Sequence, residues 1–168
     1  MNRFAGQCVL LACAFGIAHD LVTAHVCVEY FTVHHPVLSG SPSPIVQALT
    51  WGVFATWWMG VIGAALLLAA NRLGPWQTLR ESDIFPRLAA WTALGWLLSM
   101  VVLVGFTRVV PLVVDGRNIE DFDYKCRLMA VAVTHQWSYA QATLVVVLAA
   151  IGTLRRRMRL VSLRIANN

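Results

Sequence analysis

Long apolar runs alternate along the chain with short polar breaks. Four runs reach the roughly 20 residues a helix needs to cross a bilayer core. They cover approximately residues 4–33, 45–70, 88–106 and 128–154. The first is interrupted by His19, Asp20, His25 and Glu29, the second and third carry no charged residue, and the fourth has His135 near its start. None alternates with period two, so the pattern predicts helices rather than barrel strands. The breaks have local causes. Pro36 and the stretch Ser39-Gly40-Ser41-Pro42-Ser43-Pro44 predict a loop, because proline lacks a backbone donor and disfavours helical geometry just before it. Asn71 to Arg87, with Gly74-Pro75 and Pro86, separates runs two and three. Thr107 to Arg127 separates three and four, with Val109 to Val114 read as extended or re-entrant. The expected architecture is all-α: one integral membrane four-helix bundle over residues 1–168, ending in a basic tail at 154–168.

Composition sharpens this reading. The 168 residues are 58% hydrophobic and 12% charged, against about 45–50% and about 25% in an ordinary soluble domain. Too little charge is left to solvate a surface, which excludes a disordered chain, a soluble enzyme and a DNA-binding domain. The net charge of +5 does not point to nucleic acid, because the basic residues lie between and after the apolar runs. With both termini and the second loop in the cytoplasm, nine Lys and Arg lie inside and four outside. The positive-inside rule therefore predicts that orientation, in a bacterial inner membrane. The opening run continues well past the lipoprotein-like Leu10-Leu11-Ala12-Cys13, as a retained span does. In the tail, Leu154, Met158, Val161 and Ile165 share one helical face among arginines. That face suits anionic membrane lipid, and the same arginines also serve simply to stop translocation. Gly52, Thr56, Gly60 and Ala64 form a small-residue face for close helix approach, within the bundle or to a second protomer or membrane partner.

Candidate chemistry sits in the first and fourth runs. An ionisable group at the bilayer centre costs roughly 2.5–3.5 kcal/mol on insertion scales, so each needs a partner or a wet cavity. On a helix, His19, Asp20, Thr23, Cys27 and Tyr30 fall on one side, while His25 and Glu29 stack one turn apart on the other. In run four, His135 and Tyr139 share a face, with Thr134, Ser138 and Gln141 beside it. Runs one and four thus bring polar groups to similar depth, and mutual contact satisfies them. Imidazole and carboxylate suit zinc, iron, copper or manganese. His25, Glu29 and His135 are the candidate ligands of a divalent transition metal, with Asp20 and His19 as supporting or alternative ligands and Asp20 as a proton carrier. Two other readings stand beside this one. In the first, a hydrogen-bonded network merely ties the helices of a non-catalytic assembly or transporter subunit. In the second, an electron-transfer protein binds a single b-type haem, with His19 and His135 as ligands. No CxxC pair occurs, and Cys27 and Cys126 both approach the outer side, where a disulfide can form.

The stretch His19 to Pro36 carries a resemblance. Asp20 and Thr23, then Glu29-Tyr30-Phe31-Thr32, then His35-Pro36 resemble a pattern of uncharacterised small bacterial membrane proteins, Asp-x-x-Thr followed by Glu-Tyr-Phe-Thr and His-Pro, closing the first of four spans. The resemblance covers about a fifth of the chain. It implies a four-span architecture, draws attention to Asp20 and Glu29, leaves His25 outside the pattern, and carries no reaction.

Overall fold

The computed structural model describes residues 3–113 and 120–166, excluding the side chains of 161 and 163–166. Six helices follow in order: α1 Arg3–Val26, α2 Glu29–Thr32, α3 Pro44–Phe54, α4 Trp57–Arg72, α5 Glu81–Val113 and α6 Phe122–Ala166. Four stretches are long and apolar enough to cross a membrane: α1, α3 with α4, α5, and the first 39 residues of α6. In the most apolar window of each, at most 28% of residues are buried inside the molecule. Apolar side chains such as Leu97, Val101 and Ile62 face outward, the arrangement of a bundle whose solvent is lipid. The chain is a multi-pass membrane protein built as a four-helix bundle.

Packing places α1 beside α3–α4 and α5, and α6 beside α5 and α4. Consecutive helices α4 and α5 are therefore diagonal, as are α1 and α6. One end of the bundle carries Arg72, Arg80, Arg87 and the start of the basic tail; the other carries α2.

Several boundaries differ from the sequence reading. The first span is two helices, broken at Cys27-Val28. Val26 and Val28 are β-branched and weak helix formers, and the break lets α2 fold across the bundle end. The second span breaks at Ala55-Thr56, where the Thr56 hydroxyl donates to the Gly52 carbonyl, so a side chain satisfies the backbone group that the break would strand. The small-residue face is used within the bundle. A Cβ on Gly60 would lie 2.6 Å from the Val9 Cα, and one on Gly52 would lie 2.6 Å from the Ile17 backbone. The third span begins at Glu81, ahead of Pro86, because Glu81 and Asp83 suit a helix N-terminus and Pro86 lies near that end. It also stays helical through Val109–Val113 rather than turning extended. Val114, Asp115 and Arg117 lie outside the described residues.

The fourth span and the tail are one helix of 45 residues, about 68 Å at 1.5 Å per residue. That is over twice the ~30 Å hydrocarbon thickness, so it projects from the bundle. Within the described part of the tail, Arg155 and Arg159 are exposed but Arg157 is 0% exposed; the Val161, Arg164 and Ile165 side chains lie outside the described residues. Arg157 points into the bundle and donates to the carbonyls of Ala70 (2.6 Å), Leu73 (2.8 Å), Trp76 (2.7 Å) and Gln77 (3.1 Å). Its guanidinium also lies 5.7 Å from the Trp76 ring centroid. A cation suits this place, the C-terminal end of α4 with its unsatisfied carbonyls. Asn71 fixes the same connection, exchanging two hydrogen bonds with the Leu79 backbone.

Candidate functional site

The polar residues of α1 and α6 meet on the diagonal of the bundle. Asp20 and His135 are both buried, and His135 Nε2 lies 3.1 Å from Asp20 Oδ1. The other ring nitrogen has a fixed role. His135 Nδ1 is 2.9 Å from the Val131 carbonyl, and a carbonyl can only accept, so Nδ1 carries the proton. A neutral imidazole then leaves Nε2 as a bare lone pair facing a carboxylate. That pair of acceptors requires a cation between them, either a shared proton or a metal ion.

His19 stands beside the pair, 2% exposed, with neither ring nitrogen hydrogen-bonded to any of the described residues. Its ring stacks on Phe15, with centroids 5.8 Å apart, and meets the His135 ring edge to face at 4.7 Å. His19, Asp20 and His135 each offer a ligand atom, and those atoms lie within 4.8 Å of one another. A tetrahedral ion with ~2.05 Å bonds needs its donors about 3.3 Å apart, so modest side-chain rotation closes the set. Two imidazoles and one carboxylate with a position left open is a donor set of zinc and non-haem iron sites. The bond from His135 Nδ1–H to a carbonyl is the kind that orients a ligating histidine.

α2 roofs the site with aromatic rings. Tyr30 and Phe31 have ring centroids 4.6 and 5.6 Å from that of His135. His35 donates from Nδ1 to the Tyr30 carbonyl at 2.7 Å, and its ring meets the Trp51 ring. A hydrogen bond of 2.8 Å joins His34 Nε2 to the Tyr124 hydroxyl at the start of α6.

The structure brings together Asp20, His19 and His135 but not the set His25, Glu29 and His135. His25 is exposed and donates from Nδ1 to Leu21 O, one turn back on its own helix. Glu29 lies past the break and accepts a 3.4 Å hydrogen bond from the Cys27 thiol. His25 occupies the other face of α1, and the break at Cys27-Val28 carries Glu29 onto α2, so the one-turn spacing between them no longer holds. The haem arrangement also fails to fit. Two axial imidazoles face each other across an iron and its porphyrin plane, whereas the His19 and His135 rings touch edge to face. Thr134 and Ser138 satisfy themselves on carbonyls of α6, at Ala130 and His135. Gln141 instead reaches α5, donating to Gly95 O at 2.6 Å and to Ser99 Oγ at 2.7 Å. Cys27 and Cys126 are buried free thiols.

The fold and site define a class: an all-α multi-pass membrane protein with a buried His-Asp-His group at the centre of its bundle. No family model, curated protein or solved structure matches the chain.

Proposed function

We propose that this protein binds a single divalent transition metal ion inside the membrane, through His19, His135 Nε2 and an Asp20 carboxylate oxygen. The observation that carries the reading is the grouping at one point of a buried Asp20–His135 pair and a buried imidazole, His19, with both nitrogens unpartnered among the described residues. A structural network needs only the Asp20–His135 bond and leaves His19 unexplained, since a buried polar group without a partner is costly. The ion would supply a Lewis acid at an open coordination position. Asp20 and His135 would hold it, Val131 would fix the imidazole, and the Tyr30 and Phe31 rings would keep water away. The basic residues at the tail end of the bundle support placing that end in the cytoplasm of a bacterial inner membrane, which puts the site in the outer half.

Metal analysis of gently solubilised protein tests the reading. One equivalent per chain is expected in the wild type and in His25→Ala, and none in His19→Ala. Wild-type protein with no metal above buffer level after incubation with zinc or ferrous iron overturns it.

A further inference from the structure

The His-Asp-His group forms one wall of a cavity of about 420 Å³, a size typical of small-molecule sites. The cavity runs down the α1 face from His19 through Phe15, Ala12 and Leu11 to Cys8. That is about 16 Å along the helix axis at 1.5 Å per residue. The opposite walls come from α4, α5 and α6, with Met59, Gly63, Thr92, Ala142 and Val145. One end is therefore polar and the remaining length is mostly apolar. Among the described residues, unmatched hydrogen-bonding groups line the polar end: both His19 ring nitrogens and the Trp51 indole N–H, each on a residue at least nine-tenths buried; Gln141 Oε1 is a further one, six residues beyond His135 on α6.

Ile62 and Leu66 of α4 and Val147 of α6 line the cavity and are also exposed on the outer surface of the bundle. Those apolar residues lie in stretches long enough to cross a membrane, so a molecule dissolved in the hydrocarbon has an apolar approach to the cavity beside the exposed polar Gln136 and Thr143. A molecule entering there must already be dissolved in the membrane. The long apolar section takes a chain, while the unmatched N–H and imidazole groups take an oxygen-bearing head.

We infer that the cavity binds a single-chain lipid with an oxygen head group, its chain lying along α1 between Phe15 and Cys8 and its head beside His19, Asp20 and His135. The inference rests on the metal reading for the ion beside the head group, and extends it by naming the class of molecule presented to that ion.

The test uses the full chain in phosphatidylcholine nanodiscs and a photoreactive hexadecanoic acid bearing a diazirine on its chain. Peptide mapping is expected to find the label on Leu11, Met59 and Val145 as well as on the lipid-facing Leu97 and Val101. Excess unlabelled hexadecanol, or the cavity-filling Ala142→Trp, is expected to remove the first set and leave the second. The competition arm needs no substitution, so a variant that does not accumulate leaves the test intact. Label confined to Leu97 and Val101, or cavity label that hexadecanol does not displace, overturns the inference. Metal content measured on the same sample separates the two readings. Bound metal without cavity label overturns the lipid and spares the metal, whereas displaceable cavity label without metal supports the lipid site and overturns the metal.

Discussion

Asp20 and His135 meet through one buried contact between helices, and their roles are separable by substitution. In Asp20→Asn the new amide can donate an N–H to the bare His135 Nε2, so the helix-tying bond survives without the negative charge. Metal-free Asp20→Asn is expected to melt within about 0.5 kcal/mol of the wild type, the scale of a neutral substitution. Asp20→Leu keeps no such bond and is expected to lose about 0.6–1.7 kcal/mol, the measured span for interhelical hydrogen bonds in a membrane. Thermal unfolding in detergent with chelator gives both values, and both variants are expected to bind less metal. The participation of Asp20 and His135 was legible in the sequence, since ionisable groups in apolar runs must find company. The choice of His19 over His25 was not. Both lie on α1 with an acidic neighbour, and only the folded chain shows that one face turns inward while His25 emerges near the helix end. The orphaned nitrogens of His19 and the carbonyl behind His135 leave no trace in a residue pattern.

Helix contacts at the next scale depend on where a methyl group has room. At Gly60 an added Cβ meets the α1 backbone, which cannot rotate away. Gly60→Ala is expected to destabilise by about 1–3 kcal/mol, the usual cost of overpacking. At Gly105 nothing among the described residues lies within 4 Å of an added Cβ, so Gly105→Ala is expected to be neutral or to gain up to about 1 kcal/mol from helix propensity. Opposite signs in the same melting assay would separate packing from propensity. The small-residue face was readable at Gly52, Thr56, Gly60 and Ala64, but its partner was not, because spacing says nothing about which helix lies opposite. The four spans were readable from length and apolar content. Their breaks at Cys27-Val28 and Ala55-Thr56 were not, since neither site carries the proline or glycine that marks a break in a residue pattern. Arg157 was hidden among look-alikes: four of residues 155–159 are arginine, and only the path of the chain between α4 and α5 selects one. Arg157→Ala strands four carbonyls and is expected to cost at least about 3 kcal/mol, at 1–3 kcal/mol per buried unsatisfied group. The exposed Arg155→Ala is expected to stay within about 0.5 kcal/mol.

The bundle as a whole places its first and last spans across a diagonal, joined through the middle by imidazole and carboxylate. Four spans and a polar centre follow from hydropathy, but the order around the ring does not. That order depends on side-chain fit between α1 and α5 and between α4 and α6, which the run pattern does not encode. Orientation is testable at this scale. Gly40→Cys, in the exposed connection before α3, is expected to react with a membrane-impermeant maleimide in intact cells. Ser82→Cys, at the arginine-rich end, is expected to react only after the cells are opened. The reverse pattern would turn the molecule over and move the site to the inner half. The cage around Arg157 bears on how the chain is made. Its carbonyls belong to residues 70–77 and its guanidinium to α6, which is synthesised some 80 residues later. A nascent chain with three spans inserted therefore has these carbonyls without their cation until α6 arrives. Assembly of this end of the bundle therefore waits on α6, and a chain cut before Arg157 is expected to be degraded faster in cells than the full sequence, as a pulse-chase would show.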